Sequence, residues 1–358
     1  MAEVLDKMDH MVRIMDVKDK IIFMNEKMKA EFGDFTSNQC FSIMGATKKC
    51  AECVSSISRI TGKAESKDVI VGNKVFKVIA SPVELENGEI YSIEIFNDIS
   101  KEKEMEREIY LQYDKMKEDI EFAKQIQTQA LPKDGKYWDK IILNSKYCPS
   151  EELGGDIYDI VKIDEDNIIL YMADVSGHGI KSSLITIFLK QILKSLKDKS
   201  LDLKGAVNEM IKSFKELNLG DERYFSILLV LYNSTKRELS MLNAGHNCPP
   251  LIIRKNNIVE EIQIAGLPIC SILKEANQKV VSVPVEKGDK LVLYTDGITE
   301  AFSLGKMEYF GSDSIIGILE ENNQLDGAGI VDEIMGKTLE FTNQSLIDDA
   351  AILIAEIL

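Results

Sequence analysis

Aspartate recurs in this chain at the ends of apolar runs, with glycine close by. Asp174 follows Asn167 to Met172 and leads into Val175-Ser176-Gly177-His178-Gly179. Asp296 follows Lys290 to Tyr294 and stands before Gly297. Asp156 comes after Gly154-Gly155, with Asp159 three residues on, and the pair Asp348-Asp349 precedes Ala350 to Ile357. A carboxylate at a strand end, beside backbone that can turn sharply, suits a hard divalent cation, and glycine lets carbonyl oxygens approach it. Each site alone has a plainer reading. Asp174 could cap the helix that opens at Ile180, and Asp296-Gly297 could be a type I turn. Two adjacent acids such as Asp348-Asp349 are costly unless solvated or bound to cations. Four sites of one kind within one stretch of chain point to a two-metal hydrolytic centre.

The elements that must position these acids can be read from the pattern. The chain has 358 residues, enough for two domains or more. From about residue 133 to 358, strand-like runs predominate: Ile141 to Tyr147, Asp159 to Ile163, Asn167 to Met172, Tyr224 to Tyr232, Glu238 to Asn243, Pro250 to Arg254, Lys279 to Val285, Lys290 to Tyr294 and Ala350 to Ile357. Helical stretches interrupt them at Ile180 to Lys197, Leu203 to Leu217 and about Ser312 to Thr342. Many strands and few helices, not alternating, predict packed antiparallel sheets flanked by helices. Residues 1–100 predict a smaller α+β domain: strands at Met11 to Met15 and Lys20 to Met24, a helix over Asn25 to Phe32, then strands at Asp68 to Ile79 and Ile90 to Ile99. Residues 101–132 lack Gly and Pro until Pro132 and carry a heptad seam of Ile109, Tyr113, Met116, Ile120, Ala123 and Ala130, with Gln127 in the remaining core slot. That seam predicts a parallel dimeric coiled coil, or a helix packed on its own domain.

Composition bounds the partners. The formal net charge of -16 argues against nucleic acid, whose binding draws on basic stripes, and against an anionic membrane surface. No apolar run reaches the roughly 18–20 residues of a membrane-spanning helix. The charged start, Met1 to Asp9, resembles no signal peptide, so a cytoplasmic protein is expected. Cys40, Cys50 and Cys53 cluster and include a C-x-x-C pair. They could hold zinc or an iron–sulfur cluster, act in redox exchange, or be plain reduced thiols.

The region from about Glu121 to Leu358 resembles the SpoIIE-type branch of the metal-dependent PPM protein serine/threonine phosphatases. The motifs that carry the resemblance are Ala123-Lys124-Gln125-Ile126-Gln127, Ala130-Leu131-Pro132, Gly154-Gly155-Asp156-Ile157-Tyr158-Asp159, Ala173 to Gly179, Asn243-Ala244-Gly245-His246-Asn247, Gly288 to Glu300 and Asp348-Asp349, in the family order. The resemblance implies a β-sandwich with outer helices and two Mn2+ or Mg2+ ions at one end. Asp174 would bridge the ions, the Val175 carbonyl would add a ligand, Asp296 and Asp348 (or Asp349) would bind from their strand ends, and Asp156 would act mostly through water. A dimetal-activated water would then hydrolyse phosphoserine or phosphothreonine, with an anti-sigma-factor antagonist as the expected substrate. Asp174 and Asp296 are the expected catalytic residues. The chain departs from the broader family in three ways. Val175-Ser176 intervenes before Gly177-His178, no phosphate-gripping arginine is evident, and Ala350-Ala351 follows the acid pair. Lys181 is one candidate substitute for the arginine; His178 and His246 read as structural. These departures leave a second class open, a catalytically inactive phosphatase fold used as a signalling or binding module.

Residues 1–100 resemble a PAS sensor domain through Ile14-Met15-Asp16, Lys20 to Asn25, Ala80-Ser81-Pro82-Val83 and the exit Phe96-Asn97-Asp98-Ile99-Ser100. That resemblance implies a signal-receiving module of unknown ligand that often dimerises. The expected organisation is PAS domain over 1–100, coiled-coil linker over 101–132, phosphatase domain over 133–358, and a homodimer through the first two.

Overall fold

A computed structural model describes residues 2–177, 179–195, 202–220, 222–276, 278–322 and 324–358. They fall into two compact units, Met1–Met116 and Lys117–Leu358, and the division lies inside a helix. His178 and residues 196–197, the end of the Ile180 to Lys197 stretch, lie outside the described residues.

The N-terminal unit holds α1 (Ala2–Asp6), β1 (Met11–Met15), β2 (Ile21–Met24), α2 (Glu26–Phe32), α3 (Val54–Thr61), β3 (Glu65–Val71), β4 (Lys74–Glu84) and β5 (Ile90–Asp98). The strands form one antiparallel sheet in the order β2-β1-β5-β4-β3. The single run expected over Asp68 to Ile79 is two strands, because Gly72 takes a positive φ of 64° and reverses the chain. Asn25 fixes the β2–α2 corner: its Oδ1 accepts from Val12 N at 3.0 Å and from Met28 N at 3.1 Å, while its amide donates to His10 O at 2.8 Å. Met15, Ile21, Met24, Met28, Phe76 and Phe96 build the core. Arg13 and Glu94 pair at 2.6 Å beside it, both almost wholly buried, and Arg13 lies 4.9 Å over the Phe96 ring.

The long helix α4 (Ser100–Ala130) starts where Asp98 accepts hydrogen bonds from Ser100 N at 3.0 Å and Ser100 Oγ at 2.6 Å. Its heptad seam divides in two. Ile109, Tyr113 and Met116 are exposed (64%, 64% and 57%). Ile120, Ala123 and Ala130 are half-buried and Gln127 is buried within the C-terminal unit. Gln127 is thus not a coiled-coil core residue; the last turns of α4 pack on their own domain.

The C-terminal unit continues with β6 (Gly135–Tyr137), β7 (Ile141–Cys148), β8 (Asp156–Lys162), β9 (Asn167–Val175), α5 (Ile180–Ser195), α6 (Leu203–Glu216), β10 (Tyr224–Asn233), β11 (Glu238–Ala244), β12 (Leu251–Ile253), β13 (Val259–Glu261), β14 (Ile269–Cys270), β15 (Val281–Pro284) and β16 (Lys290–Tyr294). It ends with α7 (Asp296–Thr299), β17 (Phe302–Ser303), β18 (Glu308–Tyr309), α8 (Gly311–Glu321), α9 (Gly327–Phe341) and β19 (Ala350–Ile357). The helix expected over Ser312 to Thr342 is therefore two. One antiparallel sheet runs β15-β11-β10-β9-β8, with β14 on β10; the other runs β13-β12-β16-β19-β7-β6.

Side-chain alternation assigns the layers. In β9, Ile169, Tyr171 and Ala173 pack under α5 and α6, with Leu189, Val207 and Phe214. Ile168, Leu170 and Met172 face the second sheet and meet Leu291, Leu293, Leu353 and Ala355. On that sheet's outer face Val292, Ile352 and Ile354 pack on Ile315, Ile330 and Ile334 of α8 and α9. The unit is a four-layer sandwich of helices, two sheets and helices, of the mixed α and β class.

Candidate active site

The same alternation aims the acids. Asp174 continues the series Ile168, Leu170, Met172 that faces the second sheet, and Asp156 shares the parity of Tyr158 and Ile160 on β8. The two aspartates are direct cross-strand partners in the β8–β9 ladder. Directly opposed residues have Cβ atoms about 5 Å apart, and like charges so placed repel. From the other sheet, Asp296 enters at the end of β16 and Asp348-Asp349 at the start of β19; these strand ends adjoin, since Thr295 N donates to Ala351 O at 3.0 Å. Burial, then Asp296, Asp348 and Asp349, push the Asp174 carboxyl up to about 7. Asp156 is pushed well above the carboxylate range by burial first and Asp174 second. Among the described residues its Oδ2 is buried without a hydrogen-bond partner.

Asp349 is 3% exposed, and both of its oxygens are held by the chain. Oδ1 accepts from Ser150 N at 2.7 Å and Ser150 Oγ at 3.0 Å; Oδ2 accepts from Gly155 N at 2.6 Å. It clasps the β8 entry to the β19 entry across the sandwich. Asp348 is exposed, and its Oδ1 accepts from Asp349 N at 2.8 Å. Asp159, a further carboxylate by sequence, lies on the opposite face of β8 and forms an ion pair with Lys190 of α5. It is no part of the acid cluster.

Glycine marks close approach here, more than turning. A Cβ on Gly154 would lie 1.9 Å from the Tyr147 hydroxyl, and one on Gly155 2.6 Å from the Val175 carbonyl. A Cβ on Gly297 would lie 2.0 Å from the Asp349 carbonyl. Asp296-Gly297 is therefore not the type I turn its composition allows. Thr295 is the N-cap and Asp296 the first residue of α7, and Gly297 lets that helix press on β19.

Several supporting residues carry no obvious chemical signature in the sequence. Asn247 Nδ2 donates to Asp296 Oδ2 at 3.1 Å and orients that carboxylate. Gln127 Nε2 donates to Gly154 O at 2.8 Å, and Gly154 N donates back to Gln127 Oε1 at 3.3 Å, so α4 braces the Gly154-Gly155-Asp156 turn. His246 is buried, its Nε2 2.9 Å from Tyr294 O, and burial lowers its pKa. Its backbone is fixed by Asn243, which accepts from His246 N at 2.7 Å and donates to His246 O at 2.7 Å.

Among the described residues no three His, Cys, Asp or Glu side chains form a ready-made metal cage. The acids are instead a set of mutually repelling carboxylates. Hard oxygen donors, a buried orphan oxygen and a backbone carbonyl beside them fit Mg2+ or Mn2+. The cysteines do not fit the expected zinc or iron–sulfur site. Cys40 and Cys53 are buried free thiols, Cys50 is a half-buried one, and burial pushes Cys40 up to about 12. A buried, protonated thiol such as that of Cys40 is a poor ligand, and among the described residues the three cysteines form no group that could hold a metal ion.

Residues 164–358 match the family model described as Stage II sporulation protein E (SpoIIE). The chain is similar to the phosphoserine phosphatase RsbU of Bacillus subtilis (strain 168), 24% identical over 239 residues that make up 67% of this chain and 70% of RsbU. It is 27% identical over 187 residues to the phosphoserine phosphatase RsbP of the same organism, spanning 51% of this chain but less than half of RsbP, 46%. Among solved structures, the SiaA-PP2C domain of Pseudomonas aeruginosa superposes with a TM-score of 0.59 at 19% identity, over 69% of this chain and 98% of that domain. Its sandwich is the fold described above. No described helix is long and apolar enough to cross a membrane. With more than half of its residues matched and its C-terminal unit in the PP2C fold, the chain belongs to the SpoIIE family of protein serine/threonine phosphatases.

Proposed function

We propose that the C-terminal unit hydrolyses phosphoserine or phosphothreonine on a protein partner, at the acid cluster. The observation that carries this reading is the buried, cross-strand pair Asp156 and Asp174, whose charge Asp296, Asp348 and Asp349 oppose. Two Mg2+ or Mn2+ ions, when bound, would relieve that repulsion, polarise the phosphoryl group and supply a water nucleophile at neutral pH. Asp174 would be the shared ligand, with Asp296, Asp348 and the Val175 carbonyl completing the set and Asp156 acting through water. Asp349 is left to hold the two sheet ends in place. Asn247 keeps Asp296 turned inward, and Gln127 holds the turn that presents Asp156.

The similarity to RsbU and RsbP supports a phosphoprotein of the anti-sigma-factor antagonist type as the substrate. We read the N-terminal unit as a PAS-type sensor, supported by its five-stranded antiparallel sheet, and residues 1–100, 101–132 and 133–358 as sensor, linker and catalytic segments. The exposed Ile109, Tyr113 and Met116 would pair with a second copy as a coiled coil. Six free thiols fit a reducing, cytoplasmic setting.

The test is Mn2+-dependent phosphate release from a phosphorylated partner or a phosphoseryl peptide. Asp174→Asn and Asp296→Asn should each lower the rate by roughly 10²–10³-fold, the usual cost of removing one charge-stabilising group from an active site. Undiminished turnover in both variants would refute the mechanism. A wild-type chain that binds the partner without releasing phosphate would instead make the fold a scaffold.

A further inference from the structure

His246 reads as structural in the sequence, yet the fold sets it between the strand ends that carry Asp174 and Asp296. It lies in the loop after β11, and the residue is 3% exposed. The loop is tightly held. Asn243 accepts from His246 N and donates to His246 O, both at 2.7 Å, and also donates to Ile264 O at 2.8 Å. Gly245, at a φ of 84°, packs so closely that a Cβ would lie 2.4 Å from Pro268 N. From this mount the imidazole reaches both sheets. Its Nε2 lies 2.9 Å from the Tyr294 carbonyl, two residues before Asp296. The β12–β16 ladder ends with Leu251 opposite Val292, and Pro249 and Pro250, next in line, have no N–H to extend it. His246 supplies the donor that β12 cannot. A carbonyl only accepts, so Nε2 carries the proton, and burial, which lowers the imidazole pKa, keeps the ring neutral. Nδ1 is then an acceptor, with the Ser226 hydroxyl 3.4 Å away. Ser226 stands directly opposite Asp174 in the β9–β10 ladder, so both side chains look toward the second sheet.

We propose that His246 is a positioning residue of the phosphatase site, a crosspiece between the sheets that sets the separation of Asp174 and Asp296 and hence the spacing of the cation pair they would hold. The proposal rests on the phosphatase reading above. Asp296 is foremost among the charges that oppose ionisation of Asp174, so the two strand ends repel and need a tie. A neutral imidazole ties them without entering the electrostatics of the cluster. A lysine or arginine there would compete with the cations, and a carboxylate would add to the repulsion. The spacing matters because paired catalytic ions sit about 3.5–4 Å apart, and ligand distances tolerate only about 0.2 Å. Asn247, the next residue, donates to Asp296 Oδ2 at 3.1 Å, so one loop fixes both the strand end and its carboxylate.

The experiment uses the full chain with Mn2+ and three variants. Electron paramagnetic resonance detects the exchange-coupled Mn2+ pair, calorimetry measures the affinity of each ion, and p-nitrophenyl phosphate gives kcat and KM. His246→Leu should weaken the second Mn2+ by roughly 10–100-fold, the usual cost of losing a group that orients metal ligands. It should also diminish the coupled signal and lower kcat by a similar factor with KM little changed. Ser226→Ala, which removes only the tie on the Asp174 side, should shift the coupled signal in the same direction by less. His246→Gln, whose amide can donate to Tyr294 O and accept from Ser226, should recover much of the signal and of the second-ion affinity. A folded His246→Leu with the wild-type coupled signal and second-ion affinity would overturn the proposal, whatever its melting temperature, since the histidine would then serve the fold alone. Should His246→Leu fail to fold, an unaltered signal in Ser226→Ala would overturn it equally. Wild-type protein with neither a coupled pair nor Mn2+-dependent phosphate release would sink the phosphatase reading itself, whereas wild type with both, and variants that match it, would sink only the crosspiece.

Discussion

Adjacent aspartates at the head of β19 perform different tasks because a strand turns successive side chains to opposite faces. Asp349 shares the parity of Ala351 and Leu353 and points between the sheets, where it accepts three hydrogen bonds. Asp348 is exposed. The residue that binds metal and the residue that holds the fold should therefore separate by mutation. Asp349→Asn should lower the stability of the C-terminal unit by roughly 2–3 kcal/mol, as it weakens buried charge-assisted bonds. Asp348→Asn should stay within about 0.5 kcal/mol of wild type, as surface changes do, yet weaken Mn2+ binding. Thermal melts and Mn2+ titrations of both variants check this; a stable Asp349→Asn with poor metal binding would reverse the assignment. The alternation of Ala350 to Ile357 is visible in the sequence, but which parity faces the core is not, since every residue there but Glu356 is small or apolar.

Among the elements, α4 is the informative one. Its 31 residues read as a single heptad seam, and the seam is continuous in sequence. What divides it is the partner: its last turns have a sheet end to pack on, and the earlier ones do not. Gln127 shows the consequence. A polar residue at a core position reads as a register device in a coiled coil, but here both of its amide groups are spent on Gly154. Gln127→Ala should cost about 1–3 kcal/mol by leaving Gly154 unpaired in a buried place. It should also raise the Mn2+ concentration needed for half-maximal rate, because the turn before Asp156 loosens. A rate-against-Mn2+ curve identical to wild type would show the brace to be structural only. Similar limits explain two boundary errors. Asp68 to Ile79 hides the Gly72 reversal because Val69 to Val71 and Val75 to Ile79 are equally apolar. Ser312 to Thr342 hides the break between α8 and α9 because Asn322 to Asp326 are tolerable helix residues; the break is fixed by Asp326, whose carboxylate caps α9 through Gly329 N at 2.8 Å.

For the whole molecule, the proposal that residues 1–100 regulate catalysis makes a direct comparison. Phosphatase rate against Mn2+ should differ between the full chain and residues 117–358, with the difference in the metal concentration at half-maximal rate, while the melting transition of the catalytic unit stays. Superimposable curves would make the first unit a passenger. Both units have cores of their own, built from separate clusters, so the shorter chain should fold.

The acidic positions, the strand-rich pattern and the family motifs stand in the primary structure, because hydrogen-bonding period and side-chain type are local properties. From them came the sandwich and the candidate ligands. Tertiary structure decided which acids meet, that Asp159 belongs to Lys190, that Asp349 is a clasp, and that Asn247 and Gln127 attend the site. Those assignments depend on strand registry and on contacts between residues as much as 199 positions apart, such as Ser150 and Asp349. No local pattern encodes distance through space, so the partners of a side chain become visible only when the chain has closed on itself.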